Sequence, residues 1–228
     1  MEYVLKRSKR KTIAIHIIGG AVEVRAPLKM PGRDIDSYVE SKKQWIMGKL
    51  PRSCEQAEKK KAFNLDYGDK IALLGDEYAI TARDGEFLVG FDGEVFYMPP
   101  GLNTAQIKYC CVKIYRNMAK KYLPWRVDAY AGQGQMCVKP TAVKISNAKK
   151  RWGSCSSKRS LNFSWRLMMA DEDVADYVVV HELAHMLEMN HSKMFWDIVE
   201  EILPDYRERE KRLRAFQDKL DGEDWGKY

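Results

Sequence analysis

The stretch VVVHELAHMLEMNHSKMFW, residues 178–196, carries three of the chain's four histidines. On a helix, His181 and His185 stand one turn apart and project from the same face, so both imidazoles reach a single ion. Glu182 lies about 100° further round, placed to touch a water on that ion without binding the ion itself. This is the H-E-x-x-H pattern. Tyr177 to Val180 precede it, and Leu183, Ala184, Met186 and Leu187 interleave with it, so the helix is apolar on nearly every face and is expected to be buried. An unpaired carboxylate there costs on the order of several kcal/mol, and a bound dication supplies the missing partner.

His191 reads as the third ligand, with the helix ending near Met189-Asn190 and the asparagine taking a left-handed turn. The rival is a carboxylate of the following helix, Glu200 or Glu201. Ser192 is placed to cap that helix. Three protein ligands leave an open position, which separates catalytic from structural zinc. Water held there falls in pKa toward about 7, and Glu182 is the expected base that takes its proton and delivers it to a leaving group. The expectation is hydrolysis with one zinc ion per chain; imidazole ligands and the open site favour zinc over its first-row neighbours.

Working outward, Asp171-Glu172-Asp173 offers a cap and an acidic first turn for the motif helix. Upstream, Val143 and Ile145, then Leu161, Phe163 and Trp165, alternate with polar neighbours; two strands are expected, joined by a long polar connection containing Gly153. Downstream, a helix from about Lys193 ends before Pro204, and Tyr206 to Leu220 reads as a charged helical tail. In the first half, IAIHIIGGAVEV (13–24) is a hairpin signal over Gly19-Gly20, and His16 in its first run reads as structural. A helix follows through Ile35, Val39, Lys42, Trp45, Ile46 and Leu50, ended by Pro51, and CEQAEKKKAFN reads as a charged linker. Short strands are expected at KIALLG, EYAITA, EFLVGF and EVFYMP. Pro99-Pro100-Gly101 marks the expected boundary between an N-terminal, mostly β lobe with one helix (1–100) and a second lobe (101–228). A helix capped by Asn103 or Thr104 then runs to Pro124.

Composition sets the outer limits. With 228 residues and 45% hydrophobic, the chain can bury an ordinary core. Five cysteines without C-x-x-C spacing read as reduced thiols of a cytoplasmic protein. No signal-peptide pattern and no apolar run long enough for a membrane span is present, so neither export nor a membrane partner is expected. Net charge is +7, with basic runs at Lys6 to Lys11, Lys59 to Lys61 and Lys149 to Arg151. These read as solvated faces, with a polyanion surface as the alternative.

The segment RWGSCSSKRSLNFSWRLMMADEDVADYVVVHELAHMLEMNHSKMFW (151–196) resembles the YgjP-like metallopeptidases, related to the SprT and WLM groups of zincins. The resemblance continues into PDY at 204–206 and is looser in KRSKRKTIAIHI and the helix near Trp45-Ile46. It implies an α+β fold with a zincin-like metallopeptidase lobe. It implies zinc on His181, His185 and His191, Glu182 as general base, and a cleft lined by RWGSC and the following strand. The ligand spacing equals that of metzincins, but Glu188 stands where they place glycine and no later segment supplies their methionine turn, so that clan is rejected.

Arg151, Trp152, Ser154, Asn162, Arg166 and Tyr177 are the groups expected near the ion, each a candidate to steady an oxyanion. The strand LNFSWRL is expected to edge the cleft and pair with an extended peptide. The leading reading is a zinc metallopeptidase acting on a peptide or protein. Two alternatives keep the metal: a nucleotide or phosphoanhydride hydrolase that holds phosphates on Lys149, Lys150 and Arg151, and a nucleic-acid-associated protease that docks through the basic runs.

Overall fold

The computed structural model describes residues 1–85, 88–132 and 136–226. Among them the chain forms six α-helices and three small sheets, an α+β arrangement. It divides into two compact units, Met1–Phe63 with Asp218–Asp224, and Asn64–Gln217 with Trp225–Tyr228.

In the first unit, β2 (Ala14–Ile18) and β3 (Ala21–Pro27) form the expected antiparallel hairpin. Its turn residues Gly19 and Gly20 have φ of +60° and +81°. A side chain at position 20 would also strike Cys54 Sγ, at 2.7 Å, so this turn requires glycine. An unanticipated strand, β1 (Val4–Ser8), pairs in parallel with β3 and makes β3 central. Its residues are all exposed, so it has no apolar alternation to announce it. Val22, Val24 and Ala26 of β3 pack with Ile35 and Val39 of α1 (Gly32–Ser41) and Ile46 of α2 (Lys43–Ala62). The helical break falls at Lys42 and not at Pro51, which lies inside α2. Pro51 is on the exposed face, where water can satisfy the carbonyl that its missing N–H leaves unpaired. The supposed linker forms the last turns of α2, with a Lys59–Glu55 pair at 2.6 Å and three lysines at the negative end of the dipole. The first basic run is partly engaged: Lys6 pairs with Glu23, and Arg7 donates to the carbonyls of Pro27, Leu28 and Met30.

The second unit opens with β4 (Lys70–Leu73), β5 (Asp76–Ala82), β6 (Gly90–Phe91) and β7 (Val95–Met98), in the order β4-β5-β7-β6. Of the expected strand EFLVGF, Gly90–Phe91 forms β6, and Glu86 and Phe87 lie outside the described residues. The compact units divide at Phe63/Asn64, not at 100/101. The reason is that this sheet is bonded to elements later in the chain: Tyr115 Oη donates to Ala72 O (2.5 Å) and Leu74 N to Met168 O (2.9 Å). Helix α3 (Thr104–Gly132) continues through Pro124, because Leu123 and Val127 on either side are fully buried and hold it in place.

A second sheet contains β8 (Ala142–Ser146), β9 (Gly153–Cys155) and β10 (Ser160–Ser164) in the order β8-β10-β9. A 3₁₀ segment, Trp165–Met169, leads to α4 (Glu172–Ala184), then α5 (Lys193–Ile202) and α6 (Tyr206–Leu220). Phe96, Tyr115, Trp165 and Trp225 form a chain of ring contacts through this unit's core. No helix among the described residues is long and apolar enough to cross a membrane.

Candidate metal centre

Helix α4 is buried from Val174 to Val180 and again from Glu182 to Ala184. Its cap differs from expectation: Asp171 occupies the N-cap position, but its carboxylate pairs with Arg212 of α6 instead of a helix amide. The helix also ends a turn early, with His185 as C-cap. His185 keeps helical backbone angles and its N–H still reaches His181 O (3.4 Å), so both imidazoles stay on one face. Tighter bonds come next, Met186 N to Leu183 O and Leu187 N to Ala184 O. No left-handed residue occurs at Met189 or Asn190. The chain turns instead through polar contacts: Glu188 Oε1 accepts from Asn190 N (3.3 Å), and Asn190 O accepts from Ser192 N (2.8 Å). Ser192 then caps α5, as anticipated, by accepting from Phe195 N.

This return brings His191 back onto α4. Ligand atoms of His181, His185 and His191 all lie within 4.8 Å of one another, and the Nε2 atoms of His181 and His191 are 3.0 Å apart. Two nitrogens bound to one tetrahedral zinc lie about 3.3 Å from each other. The rivals Glu200 and Glu201 do not join the cluster. His185 Nδ1 faces Glu188 O at 3.3 Å, which leaves Nε2 for a ligand. Burial, reinforced by the other two imidazoles, drops the pKa of His181 to about 3, and burial also lowers that of His185. Both rings are therefore neutral near pH 7, with lone pairs available to an ion. The Nδ1 of His181 is buried without a hydrogen-bond partner among the described residues. Phe195, fully buried, forms the floor, with its ring 4.6–4.9 Å from all three imidazoles.

Glu182 is 6% exposed, and burial raises its carboxyl to about 7 against the opposing pull of the Cys155 N–H and the Arg151 charge. Strand β9 lies directly on it: a Cβ at Gly153 would stand 2.5 Å from Glu182 Cγ. Neither the floor nor this backbone donor was anticipated. An amide N–H leaves no side-chain signal, and Phe195 reads as an ordinary core residue.

Of the other expected groups, Tyr177 is brought to the cluster, its ring 5.9 Å from that of His181, and burial keeps its phenol protonated. Arg151 is exposed and acts on Glu182 through its charge. Ser154 lies in β9, opposite Asn162. Trp152 stacks on Phe216, and Asn162 donates to Ser146 Oγ. Arg166 is buried over the Trp165 ring and donates to Asn147 Oδ1 and Ala148 O; among the described residues it makes no hydrogen bond or ion pair with the histidines or Glu182. Strand β10 is a correction, since it is paired on both sides and offers no edge; β9 is the edge strand beside Glu182. Lys149 donates to Gly226 O, which engages one cation of the supposed phosphate run.

Residues 11–216 match the family described as YgjP-like, metallopeptidase domain. No curated protein matches the chain. Among solved structures, the chain is similar to the crystal structure of the metallopeptidase zymogen of Pyrococcus abyssi abylysin. The identity is 21% over 41% of this chain and 93% of that one, with a TM-score of 0.38. Because the family match spans most of the sequence and takes in the three-histidine cluster, the chain belongs to the YgjP-like metallopeptidases, a membership that implies a metal ion and a protein or peptide substrate.

Proposed function

We propose that this protein is a zinc-dependent peptidase in which His181, His185 and His191 hold one ion and Glu182 is the general base, in a unit of zincin type. The observation that carries the reading is the convergence of three imidazole nitrogens beside a buried carboxylate. When bound, zinc supplies Lewis acidity, acidifying water and polarising a carbonyl. Glu182 takes the proton from the attacking water and passes it to the departing amine. The Cys155 N–H fixes its carboxylate, and Gly153 leaves the room it occupies. An extended substrate adds to the free side of β9, which sets its carbonyl beside Glu182. Tyr177 and Arg151 are the donors best placed to steady developing negative charge.

The test is Glu182→Gln. The variant retains one zinc per chain while peptide turnover falls by about 10²–10⁴-fold, the usual worth of a general base. Full activity in that variant eliminates Glu182 as the base. His191→Ala, left with two imidazoles, binds zinc far more weakly and loses activity.

A further inference from the structure

We infer that Trp196 is a positioning residue for His191, fixing by ring stacking the ligand orientation that a carbonyl fixes for His185. The inference rests on the three-histidine reading above. His185 extends a helix, and its second nitrogen is held by Glu188 O. His191 has neither support: it lies in the turn between α4 and α5, is exposed, and makes no hydrogen bond outside the cluster among the described residues. What it has is a flat neighbour. The Trp196 indole lies 5.7 Å away and 25° from parallel. Phe195 meets His191 at 78°, edge to face, which limits how deep the imidazole sits but gives it no parallel surface. A parallel face opposes rotation of the imidazole out of the plane in which its Nε2 meets that of His181.

The indole is itself held. Trp196 N donates to Ser192 O, so it belongs to the turn that begins beside His191. It also stacks on Tyr206, 5.3 Å away at 17°, and Tyr206 is 5% exposed. Arg207 donates to the Tyr206 hydroxyl. The stack His191–Trp196–Tyr206 thus ties the one ligand that lies beyond the motif helix to the start of α6.

Orienting partners of metal-bound histidines change metal affinity by about 10–100-fold when removed. The experiment measures zinc affinity of the metal-stripped full chain by competition with a chromophoric chelator. It compares wild type, W196A, W196F, H191A and the W196A/H191A double variant, with far-UV circular dichroism of each metal-free protein. Trp196→Ala is expected to weaken zinc roughly 10–100-fold with an unchanged spectrum. Trp196→Phe restores most of the affinity, and Trp196→Ala has no further effect once His191 is gone. If alanine does not fold, Trp196→Leu, apolar but without a flat face, is compared with Trp196→Phe. Equal affinities for those two overturn the inference, as does a W196A effect of the same size with and without His191, or none at all in the wild-type background. A wild-type chain that binds no zinc overturns the metal reading itself, and the inference with it.

Discussion

Gly153 shows how much of the site depends on what a residue lacks. An added methyl would meet Glu182 Cγ at 2.5 Å and Oε1 at 2.6 Å, so either β9 or the carboxylate must move. Gly153→Ala is expected to cost about 1–3 kcal/mol in urea unfolding. It should lower peptide turnover while zinc content stays at one per chain; unchanged turnover would remove β9 from the mechanism. The cysteines give a second test. Cys111 is fully buried and its thiol is pushed up to about 12, whereas Cys54 and Cys137 are exposed. The unfolded thiol ionises near 9.0 and the folded one only near 12, so the unfolded state releases its proton first. This residue's contribution to stability therefore declines as pH rises from about 9 toward 12. At pH 9.5, iodoacetamide should label Cys54 and Cys137 and spare Cys111 until denaturant is added. The gathering of the three histidines was legible because their spacing along the chain brings them to one side of α4. Phe195, Glu188 O and the Cys155 N–H were not, since apolar floors and backbone groups carry no such mark.

Among the elements, α4 was the most legible, through the density of its apolar residues, and its end the least. The expectation relied on asparagine's tolerance of a left-handed turn, but Glu188 and Ser192 supply polar contacts that turn the chain without one. Proline misled in the same way twice. Pro51 and Pro124 remain inside helices, because an exposed face or buried neighbours outweigh one lost hydrogen bond. The placement of α4 against α3 has its own test. Arg126 Nε donates to Asp176 Oδ1 (2.6 Å) and Tyr130 Oη to Oδ2 (2.9 Å), with Asp176 and Arg126 side chains only 7% and 17% exposed. Asp176→Ala strands a buried guanidinium and should lower stability by about 3–5 kcal/mol in denaturant unfolding. A loss no larger than that of a surface pair, under about 1 kcal/mol, would show that this pair does not hold α4 to α3.

For the molecule as a whole, the α+β class implied by the family resemblance matches the six helices and three sheets among the described residues, but the division into compact units was not legible. Pro99-Pro100-Gly101 looks like a boundary because proline interrupts both helices and central strands, yet β4–β7 is bonded to the elements after it. Only the pairing of distant segments, such as Tyr115 with Ala72, decides the division, and local sequence does not encode that. Charge also has a local use that the runs do not announce: Arg7, exposed, serves three carbonyls of its own unit, and Lys149, exposed, serves one. A resident ion should stabilise the whole second unit. Zinc at 100 times its Kd adds about 2.7 kcal/mol of stability, lost on chelation and absent from His191→Ala, as read by thermal unfolding with and without chelator.

The central claim, that three imidazoles share one zinc ion, is tested most directly by crystals of the zinc-loaded protein measured on both sides of the zinc absorption edge. The predicted result is a single anomalous peak, about 2.0–2.1 Å from one nitrogen each of His181, His185 and His191. An empty cluster, or a peak held by other residues, would contradict it.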